Sequence, residues 1–169
     1  MLLERFFPDD RKNSAYSIDY EQLYAEGFRG LIFDIDNTLV EHGADATDRA
    51  VRLMERLKAD GFQICLLSNN RQERVERFNR TLGLPAYWKS GKPFAKTLIR
   101  AMEEMGSDRT NTVVLGDQLL TDALAGKHIG LRVLIVPPIR DKRTLFFRFK
   151  RWCEKPFIRR FKKKHGIEW

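Results

Sequence analysis

The sequence contains few cysteines and no long hydrophobic run, and each scarcity excludes a class of protein. Its 169 residues include two cysteines, Cys65 and Cys153, which cannot form a disulfide framework and lack the spacing of zinc ligands. No window of roughly 18 uninterrupted apolar residues occurs, so the sequence predicts no membrane-spanning helix. The apolar stretch at the N-terminus is short and contains Glu4, unlike a secretory signal. These features predict a cytoplasmic protein with reduced thiols.

Common nucleotide-binding motifs are missing as well. The chain has no GxxxxGK[ST] run and no GxGxxG run, so neither a P-loop nor a dinucleotide-binding fingerprint is expected. Its three histidines, His42, His128 and His165, lie far apart and are expected to be surface or structural side chains. The composition, with 43% hydrophobic and 32% charged residues, is typical of a folded globular domain.

Basic residues are concentrated at one end of the chain, whose formal net charge is +8. Residues 139–169 hold twelve Lys and Arg against three Asp and Glu, a net charge of +9. Residues 1–138 hold 19 basic and 20 acidic side chains and are close to neutral. A segment this cationic is expected either to meet phosphate groups of lipid or nucleic acid, or to form a solvated tail.

Hydrophobic patterning predicts an α/β fold. Four short apolar runs have the character of parallel strands covered on both faces: Leu31–Ile35, Phe62–Leu67, Thr112–Leu115 and Leu131–Val136. Stretches with helical periodicity lie between or beside them: Asp48–Ala59, Gln72–Leu82, Pro93–Met105 and Leu119–Ala125. A further short strand is expected at Ala86–Trp88. The alternation predicts an open parallel sheet with helices on both faces.

Residues 141–164 depart from this alternation. Five apolar residues recur on one face of a predicted helix: Leu145, Phe146, Phe149, Trp152 and Cys153. Pro156 is expected to interrupt the helix. The apolar face can pack on the body of the protein or lie in the interface of an anionic membrane, and the pattern leaves both open. The chain is accordingly divided into a domain at 1–138 and a basic amphipathic extension at 139–169.

Two acids follow the first predicted strand. Strand alternation places Asp34 and Asp36 on the same side of the chain, with Ile35 opposite. In open parallel sheets, ligands bind beyond the carboxyl ends of the strands. Two carboxylates at that position repel each other unless a cation or a proton compensates them. The pair is therefore predicted to belong to a reaction centre.

Other strand ends supply groups that suit phosphate chemistry. Ser68, Asn69 and Asn70 follow the second core strand and offer a hydroxyl and two amides to phosphate oxygens, although Ser68 alone is more typical of a helix cap. Lys92 stands at a predicted helix start, and Asp117 and Asp122 follow the third core strand. Acids, a hydroxyl and a lysine are thus expected at one edge of the sheet.

Four runs occur in a fixed order and resemble the four motifs of the haloacid dehalogenase-type phosphatase superfamily: DIDNTL, LLSNN, GKP and GDQLLTD. The resemblance extends from Gly30 to Pro137. The last run and the compact layout are similar to the class IIIA, YqeG-type group, which is related to phosphatidylglycerophosphate phosphatases. The resemblance implies a Rossmann-like fold and a phosphomonoester hydrolase that uses Mg²⁺.

The resemblance also implies the roles of the acids. Asp34 would be the nucleophile that forms an aspartyl-phosphate. Asp36 would protonate the leaving oxygen and then activate water, with Thr38 orienting it. Asp34, Asp117 and the backbone carbonyl of Asp36 would hold Mg²⁺. Asp122 would bind a metal-bound water or position the lysine.

The remaining motif residues are implied to bind the phosphate or support the loop. Ser68 and Lys92 would hold the phosphoryl oxygens, where negative charge must be stabilised. Thr38 and Asn69 would add contacts to the substrate, and Asn37 would support the first loop.

The spacing of the motifs leaves no room for a cap domain. Asp34 and Ser68 are 34 residues apart and Ser68 and Lys92 are 24 residues apart, so one helix and one strand fill each interval. An uncapped site is open to water and to bulky substrates. We therefore expect a phosphate displayed on a membrane or a macromolecule.

Three functions follow from these patterns. The first is a Mg²⁺-dependent phosphatase acting on a lipid phosphate such as phosphatidylglycerophosphate, with peripheral contact at the inner face of the membrane through residues 141–164. The second removes a terminal phosphate from nucleic acid, but the chain has no base-reading motif. The third is a weakly active binding module for RNA or a protein partner, which would not need the Asp34 and Asp36 pair.

Overall fold

The structure is a computed structural model that describes residues 7–140 and 145–165. Residues 141–144 of the predicted extension lie outside the described residues, as do the side chains of Leu145 and Phe146. Within the described ranges, no helix combines the length and the apolar character needed to cross a bilayer.

A six-stranded, fully parallel sheet forms the centre of the molecule. The strands are β1 (Asp10–Arg11), β2 (Gly30–Phe33), β3 (Gln63–Leu67), β4 (Ala86–Tyr87), β5 (Thr112–Gly116) and β6 (Arg132–Ile135). Their order across the sheet is β1-β6-β5-β2-β3-β4. The chain continues from β2 to one side and later returns to its other side, so β2 lies at the topological switch point where such sheets bind ligands.

Within the described residues, six α-helices and two short helical turns accompany the strands. The helices are α1 (Tyr20–Ala25), α2 (Asp48–Ala59), α3 (Gln72–Asn79), α4 (Lys96–Met105), α5 (Leu124–His128) and α6 (Leu145–His165). A 3₁₀ turn at Ala15–Ser17 precedes α1, and a π-helical turn at Leu119–Ala123 leads into α5. Between Asp34 and Lys92, a stretch described throughout, the regular elements are α2, β3, α3 and β4, with no inserted domain.

Two apolar layers cover the sheet, one on each face. Alternate residues of β2 separate between them, since Leu31 and Phe33 belong to the layer of α1, α2 and α3 and Ile32 belongs to the layer of α4 and α5. Each core strand is buried on both sides, as its continuous apolar run requires. The predicted open parallel sheet with helices on both faces is therefore confirmed.

Several boundaries differ from the predicted ones. Helix α4 begins at Lys96, three residues after Pro93, because the Gly91–Phe94 segment forms a turn in which the Phe94 amide donates to the Gly91 carbonyl. Helix α3 ends at Asn79, whose side chain bonds the backbone of Leu84. The edge strand β1 was not predicted, because two residues carry no periodicity.

Helix α6 lies against the α4 and α5 layer through one face only. Phe157 and Ile158 contact that layer, and Phe161 is fully buried with its ring 5.4 Å from the ring of Phe7. Glu154 lies about two turns before Phe161 on the same face and is also buried. The helix is continuous through Pro156, contrary to the predicted interruption, since the packed residues on either side of the proline hold it in place.

The direction of α6 follows from its two ends. Glu154 reaches the turn that follows β5, at the carboxyl edge of the sheet, whereas Phe161 meets Phe7, which precedes β1 at the opposite edge. The helix therefore runs antiparallel to the strands. Its residues before Glu154 continue toward the carboxyl edge, and Phe149 and Trp152 there are exposed and stacked on each other.

Two phenylalanines of α6 are predicted to differ sharply in their contribution to stability. Phe161→Ala removes a fully buried ring and should lower the free energy of unfolding by about 3 kcal/mol. Phe149→Ala removes an exposed ring and should change it by about 0.5 kcal/mol or less. Urea denaturation of both variants measures the difference. Equal losses would contradict the packing of α6 through the Phe161 face.

Candidate active site

The first site residue extends the central strand. Asp34 follows Phe33 at the end of β2, and its backbone amide donates to the Leu115 carbonyl of β5 over 2.8 Å. This bond holds Asp34 level with the ends of both neighbouring strands. Its side chain is only 11% exposed, so the carboxylate lies in the wall of the cleft rather than in bulk water.

One lysine joins two of the acids. The ammonium Nζ of Lys92 lies 2.6 Å from Oδ1 of Asp34 and 2.6 Å from Oδ1 of Asp122, and it also donates to the Leu67 carbonyl over 3.0 Å. The three acceptors come from the ends of β2 and β3 and from the turn after β5. Lys92 has three N–H donors, and this geometry uses all of them.

Burial and neighbouring charges set the protonation of this group. Burial raises the pKa of Asp34 to about 7, with Lys92 opposing the rise and Asp122 and Asp36 adding to it. Burial disfavours the charged form of Lys92, but Asp122 and Asp34 outweigh it and raise the pKa of the lysine above its ordinary value. The lysine is therefore a permanent cation in a site with several carboxylates.

Asn69 holds the loop that carries Lys92. Its amide nitrogen donates to the Lys92 carbonyl over 3.0 Å, and its Oδ1 accepts from the Lys92 amide and the Ser90 hydroxyl, each over 2.9 Å. In the structure the side chain binds both backbone polar groups of Lys92, which makes Asn69 a positioning residue for the ammonium. The contact between Asn69 and phosphate that the motif implies stays a prediction.

The second acid, Asp36, is held by a different set of groups. Its carboxylate accepts from the Gly43 amide over 2.7 Å, from Asn70 over 2.6 Å and from Arg74 over 3.0 Å, with His42 Nδ1 at 3.4 Å. Burial alone would raise the pKa of Asp36, but the Gly43 amide, Arg74 and His42 lower it below its ordinary value. Asp36 is therefore an oriented carboxylate in the free protein.

Thr38 contacts the first acid rather than the second. Its hydroxyl lies 3.5 Å from Oδ2 of Asp34, whereas the predicted partner was Asp36. The reason is the tight loop after β2. Asn37 adopts a left-handed conformation with φ of 65°, and its amide donates to the Val40 carbonyl, which turns the chain back toward Asp34. Asn37 supports this loop, as predicted.

The fourth motif contributes two buried acids. Asp117 precedes the π-helical turn after β5 and Asp122 lies within it, and each is 1% exposed. A glycine permits the close approach of Asp122, because a Cβ on Gly116 would stand 2.3 Å from the Asp122 carboxyl carbon. The Gln118 amide also donates to Oδ2 of Asp122 over 3.1 Å, which fixes the carboxylate beside the lysine.

The donor set of the site fits a hard divalent cation. Asp34, Asp117 and Asp122 each offer a carboxylate oxygen, and these oxygens lie within 4.8 Å of one another. Carboxylate oxygens are the ligands that Mg²⁺ prefers. Lys92 contacts one oxygen of Asp34 and one of Asp122, so the cluster already combines a cation with its acids.

Ser68 lies at the end of β3 and is buried. Its Oγ accepts from the Asn70 amide over 3.1 Å, a contact typical of a turn or cap. The hydroxyl proton can still be donated to another acceptor. The two alternatives raised by the sequence for Ser68, a cap and a phosphate ligand, are therefore compatible.

The fold brings Asp34, Lys92, Asp117 and Asp122 together, and the motif pattern identified all four. The sequence identified Asn70 as an amide near the site but not as a partner of Asp36, and it missed Arg74, Gly43 and Glu154. Gly43 and Glu154 carry no local signal of their own. Arg74 stands in the first turn of α3, directly after the LLSNN run, and that adjacency is the one feature that could have identified it.

Comparison with known proteins decides the family. The model of the haloacid dehalogenase-like hydrolase family matches residues 43–130. The Bacillus subtilis protein named "Probable phosphatase YqeG" is 36% identical over 170 aligned residues, which cover 100% of this chain and 99% of that protein. The chain belongs to the haloacid dehalogenase-like hydrolases. The prediction of a phosphatase of this superfamily is thereby confirmed.

A plant protein is a more distant relative of this hydrolase. "Phosphatidylglycerophosphate phosphatase 1, chloroplastic/mitochondrial" of Arabidopsis thaliana is 28% identical over 158 residues, covering 87% of this chain and 45% of the plant protein. The hydrolase therefore spans about half the length of that relative.

Solved structures share the fold of the hydrolase. A haloacid dehalogenase family hydrolase from Deinococcus radiodurans superposes with a TM-score of 0.53 at 15% identity, covering 66% of this chain and 92% of that one. NagD from Escherichia coli K-12 gives a TM-score of 0.53 at 16% identity, covering 64% and 87%. The Rossmann-like architecture predicted from the motifs agrees with these neighbours.

Replacing the central lysine should destabilise the hydrolase more than replacing its exposed neighbour. Lys92→Met leaves Asp34 and Asp122 buried without their shared cation and should lower the free energy of unfolding by about 3 kcal/mol. Lys96→Met, at the exposed first residue of α4, should change the free energy of unfolding by about 0.5 kcal/mol or less. Urea denaturation in the presence of EDTA compares the two. Similar losses would show that the ion pairs of Lys92 do not support the fold.

Proposed function

We propose that this hydrolase removes phosphate from phosphomonoesters through a covalent aspartyl-phosphate on Asp34. The observation that carries the proposal is the position of the Asp34 carboxylate, which ends the central strand in contact with the Lys92 ammonium and beside Asp117 and Asp122. A nucleophile, a cation and a set of oxygen donors thereby meet at the switch point of the sheet.

The chain's own groups account for both halves of the reaction. An oxygen of Asp34 attacks phosphorus, the bond to the ester oxygen breaks, and a proton from Asp36 passes to the leaving oxygen. Asp36, now a carboxylate, takes a proton from a water molecule that attacks the same phosphorus. The bond between phosphorus and Asp34 then breaks, which releases inorganic phosphate and restores the free carboxylate.

Asp36 must be protonated for the first half, although its pKa is low in the free protein. Gly43 and Arg74 hold the carboxylate on one side of the cleft. A dianionic phosphate arriving nearby favours the protonated form, because like charges raise the pKa of an acid. Substrate binding therefore supplies the proton donor in this scheme.

Lys92 and Ser68 hold the phosphoryl oxygens in the proposed complex. Asp34, Asp117 and the backbone carbonyl of Asp36 would hold Mg²⁺, and Asp122 would bind one of its water ligands while fixing Lys92. When bound, Mg²⁺ neutralises the charge of the phosphate against the surrounding carboxylates. Thr38, near Asp34, and Asn69, behind Lys92, position the reacting groups.

The substrate we propose is a lipid phosphate, with phosphatidylglycerophosphate as the named candidate. Two features support it besides the name of the plant relative. The described stretch from Asp34 to Lys92 has no cap domain to enclose a small substrate. The helix α6 also places three exposed side chains, Arg148, Phe149 and Trp152, toward the same edge of the sheet as the site.

The outward face of α6 combines aromatic and basic side chains. Phe149 and Trp152 lie about opposite Glu154 and Phe161 on the helix, at 100° per residue, and both are exposed. Arg148 and Lys155 are exposed close to these rings, and five further exposed basic residues follow along the helix toward the opposite edge of the sheet: Arg159, Arg160, Lys162, Lys163 and Lys164. We propose that this outward face of the 139–169 extension rests on an anionic bilayer, at the inner surface of the membrane. Phe149 and Trp152 lie toward the carboxyl edge of the sheet, so contact between these rings and a bilayer would bring the site close to lipid headgroups.

Asp34→Asn is predicted to abolish phosphate release while the protein stays folded. The amide is a poor nucleophile and a poor metal ligand, so turnover should fall by about 10³-fold or more. Release of inorganic phosphate from para-nitrophenyl phosphate measures it, with the exposed Asp45→Asn variant as control. If Asp34→Asn hydrolysed the ester at the wild-type rate, the mechanism would be refuted. Full activity of the wild type after exhaustive chelation of divalent ions would refute it as well.

The double variant Phe149→Ser/Trp152→Ser is predicted to lose vesicle binding and to keep hydrolysis of the soluble ester. The loss of two interfacial rings should weaken binding to vesicles of phosphatidylglycerol and phosphatidylcholine by about tenfold or more. Co-sedimentation at low and high salt measures it, with pure phosphatidylcholine vesicles as control. If the wild type ignores anionic vesicles and binds RNA with a steep salt dependence, the nucleic-acid function replaces the lipid one.

A further inference from the structure

A buried glutamate of α6 reaches into the fourth motif. Glu154 is 2% exposed, and its Oε1 accepts from the Leu119 amide over 3.0 Å and from the Leu120 amide over 3.4 Å. These two amides open the π-helical turn at Leu119–Ala123. The contact joins residues that are 35 and 34 positions apart along the chain.

The turn that Glu154 binds positions the acids of the site. It contains Asp122 and begins two residues after Asp117, and the residue directly before it, Gln118, provides no side-chain cap of its own. The first amides of a helical turn have no partner within the turn and need an acceptor from elsewhere. Asp122 accepts from the Gln118 amide, and Glu154 accepts from the Leu119 and Leu120 amides. Two carboxylates together therefore bind the three amides at the start of the turn.

The same contact is connected to the reacting groups by a short path. Asp122 uses its other oxygen, Oδ1, to bind the Lys92 ammonium, which in turn contacts Asp34. A shift of the turn therefore moves Asp122 and, through it, the lysine. Burying a carboxylate is costly unless hydrogen bonds compensate it, and Glu154 is buried beside an apolar layer. Its two amide bonds offset that cost only when the turn keeps its geometry.

We propose that Glu154 is a positioning residue for catalysis, and that α6 is for this reason an integral part of the active site. The inference rests on the proposed phosphatase function of the same site. Glu154 holds the Leu119–Ala123 turn so that Asp117 and Asp122 keep the spacing that metal binding and the Lys92 contact require. The same helix carries Phe149 and Trp152 on its outward face, so the proposed bilayer contact and the acid cluster share one rigid element.

Three variants test the proposal through hydrolysis of para-nitrophenyl phosphate over a series of Mg²⁺ concentrations. Glu154→Ala removes the acceptor, Glu154→Gln keeps an oxygen that both amides can bind, and Glu103→Ala removes an exposed glutamate of α4 as the matched control. A second readout is the rise in Tm that saturating Mg²⁺ produces in each variant. This rise does not depend on turnover.

Glu154→Ala should lower kcat by about tenfold and raise the Mg²⁺ concentration for half-maximal activity several-fold, with KM changed by less than about twofold. Its Mg²⁺-induced rise in Tm should shrink. Glu154→Gln should stay within about threefold of the wild type, because an amide oxygen accepts the same two bonds. Glu103→Ala should match the wild type in every measurement.

Wild-type kcat and Mg²⁺ response in Glu154→Ala would overturn the proposal, as would equal losses in Glu154→Ala and Glu154→Gln. If Glu154→Ala does not fold, Glu154→Asp decides, since it retracts the carboxylate by one methylene and should show the losses that Glu154→Gln lacks. A wild type without hydrolytic activity would refute the phosphatase function. The Mg²⁺-induced rise in Tm would then still test the positioning of the acids by Glu154.

Discussion

The arrangement of the site depends on one buried cation between two carboxylates. Lys92 places its ammonium 2.6 Å from both Asp34 and Asp122, and neither acid is more than slightly exposed. Without the lysine, two negative charges would face each other across the end of a parallel sheet with little water to screen them. With it, the nucleophile candidate and the acid of the fourth motif are held in a single geometry, and the remaining groups of the site are arranged around that contact.

Separate contacts fix Lys92 and Asp122 within this group. Asn69 binds the backbone of Lys92 on both sides, and Gly116 leaves the space that the Asp122 carboxylate fills. Glu154 binds the turn that carries Asp122 from a helix at the far end of the chain. Gly116 and Glu154 lie in β5 and α6, which pack into the core, so the Asp122 side of the site is built on rigid supports.

The carboxyl edge of the sheet, which has no cap domain in the described stretch from Asp34 to Lys92, lies beside the first half of α6. The helix packs through Phe157, Ile158 and Phe161 and leaves its aromatic and basic face outward. The sequence of this helix left two alternatives open, packing on the body of the protein or contact with an anionic membrane, and the two faces of α6 suit one alternative each. One face packs on the body, and the other remains available for the anionic bilayer that we propose. A phosphatase built in this way can act on a phosphate that never leaves the membrane surface.

The amino-acid sequence by itself determined the alternation of strands and helices, the parallel sheet, and the acids and lysine at its carboxyl edge. These follow from short-range physics, since buried strands need continuous apolar runs and motif residues stand at strand ends. It did not reveal that Thr38 lies near Asp34, that Asn69 binds Lys92, that Arg74 holds Asp36, or that Glu154 completes the turn after β5. Those pairings depend on which side chains meet after the chain has crossed the sheet, and hydrogen bonds between distant segments leave no periodicity in the sequence. Tertiary structure alone decided them, because a polar group buried during folding takes whichever partner the packed elements bring within reach.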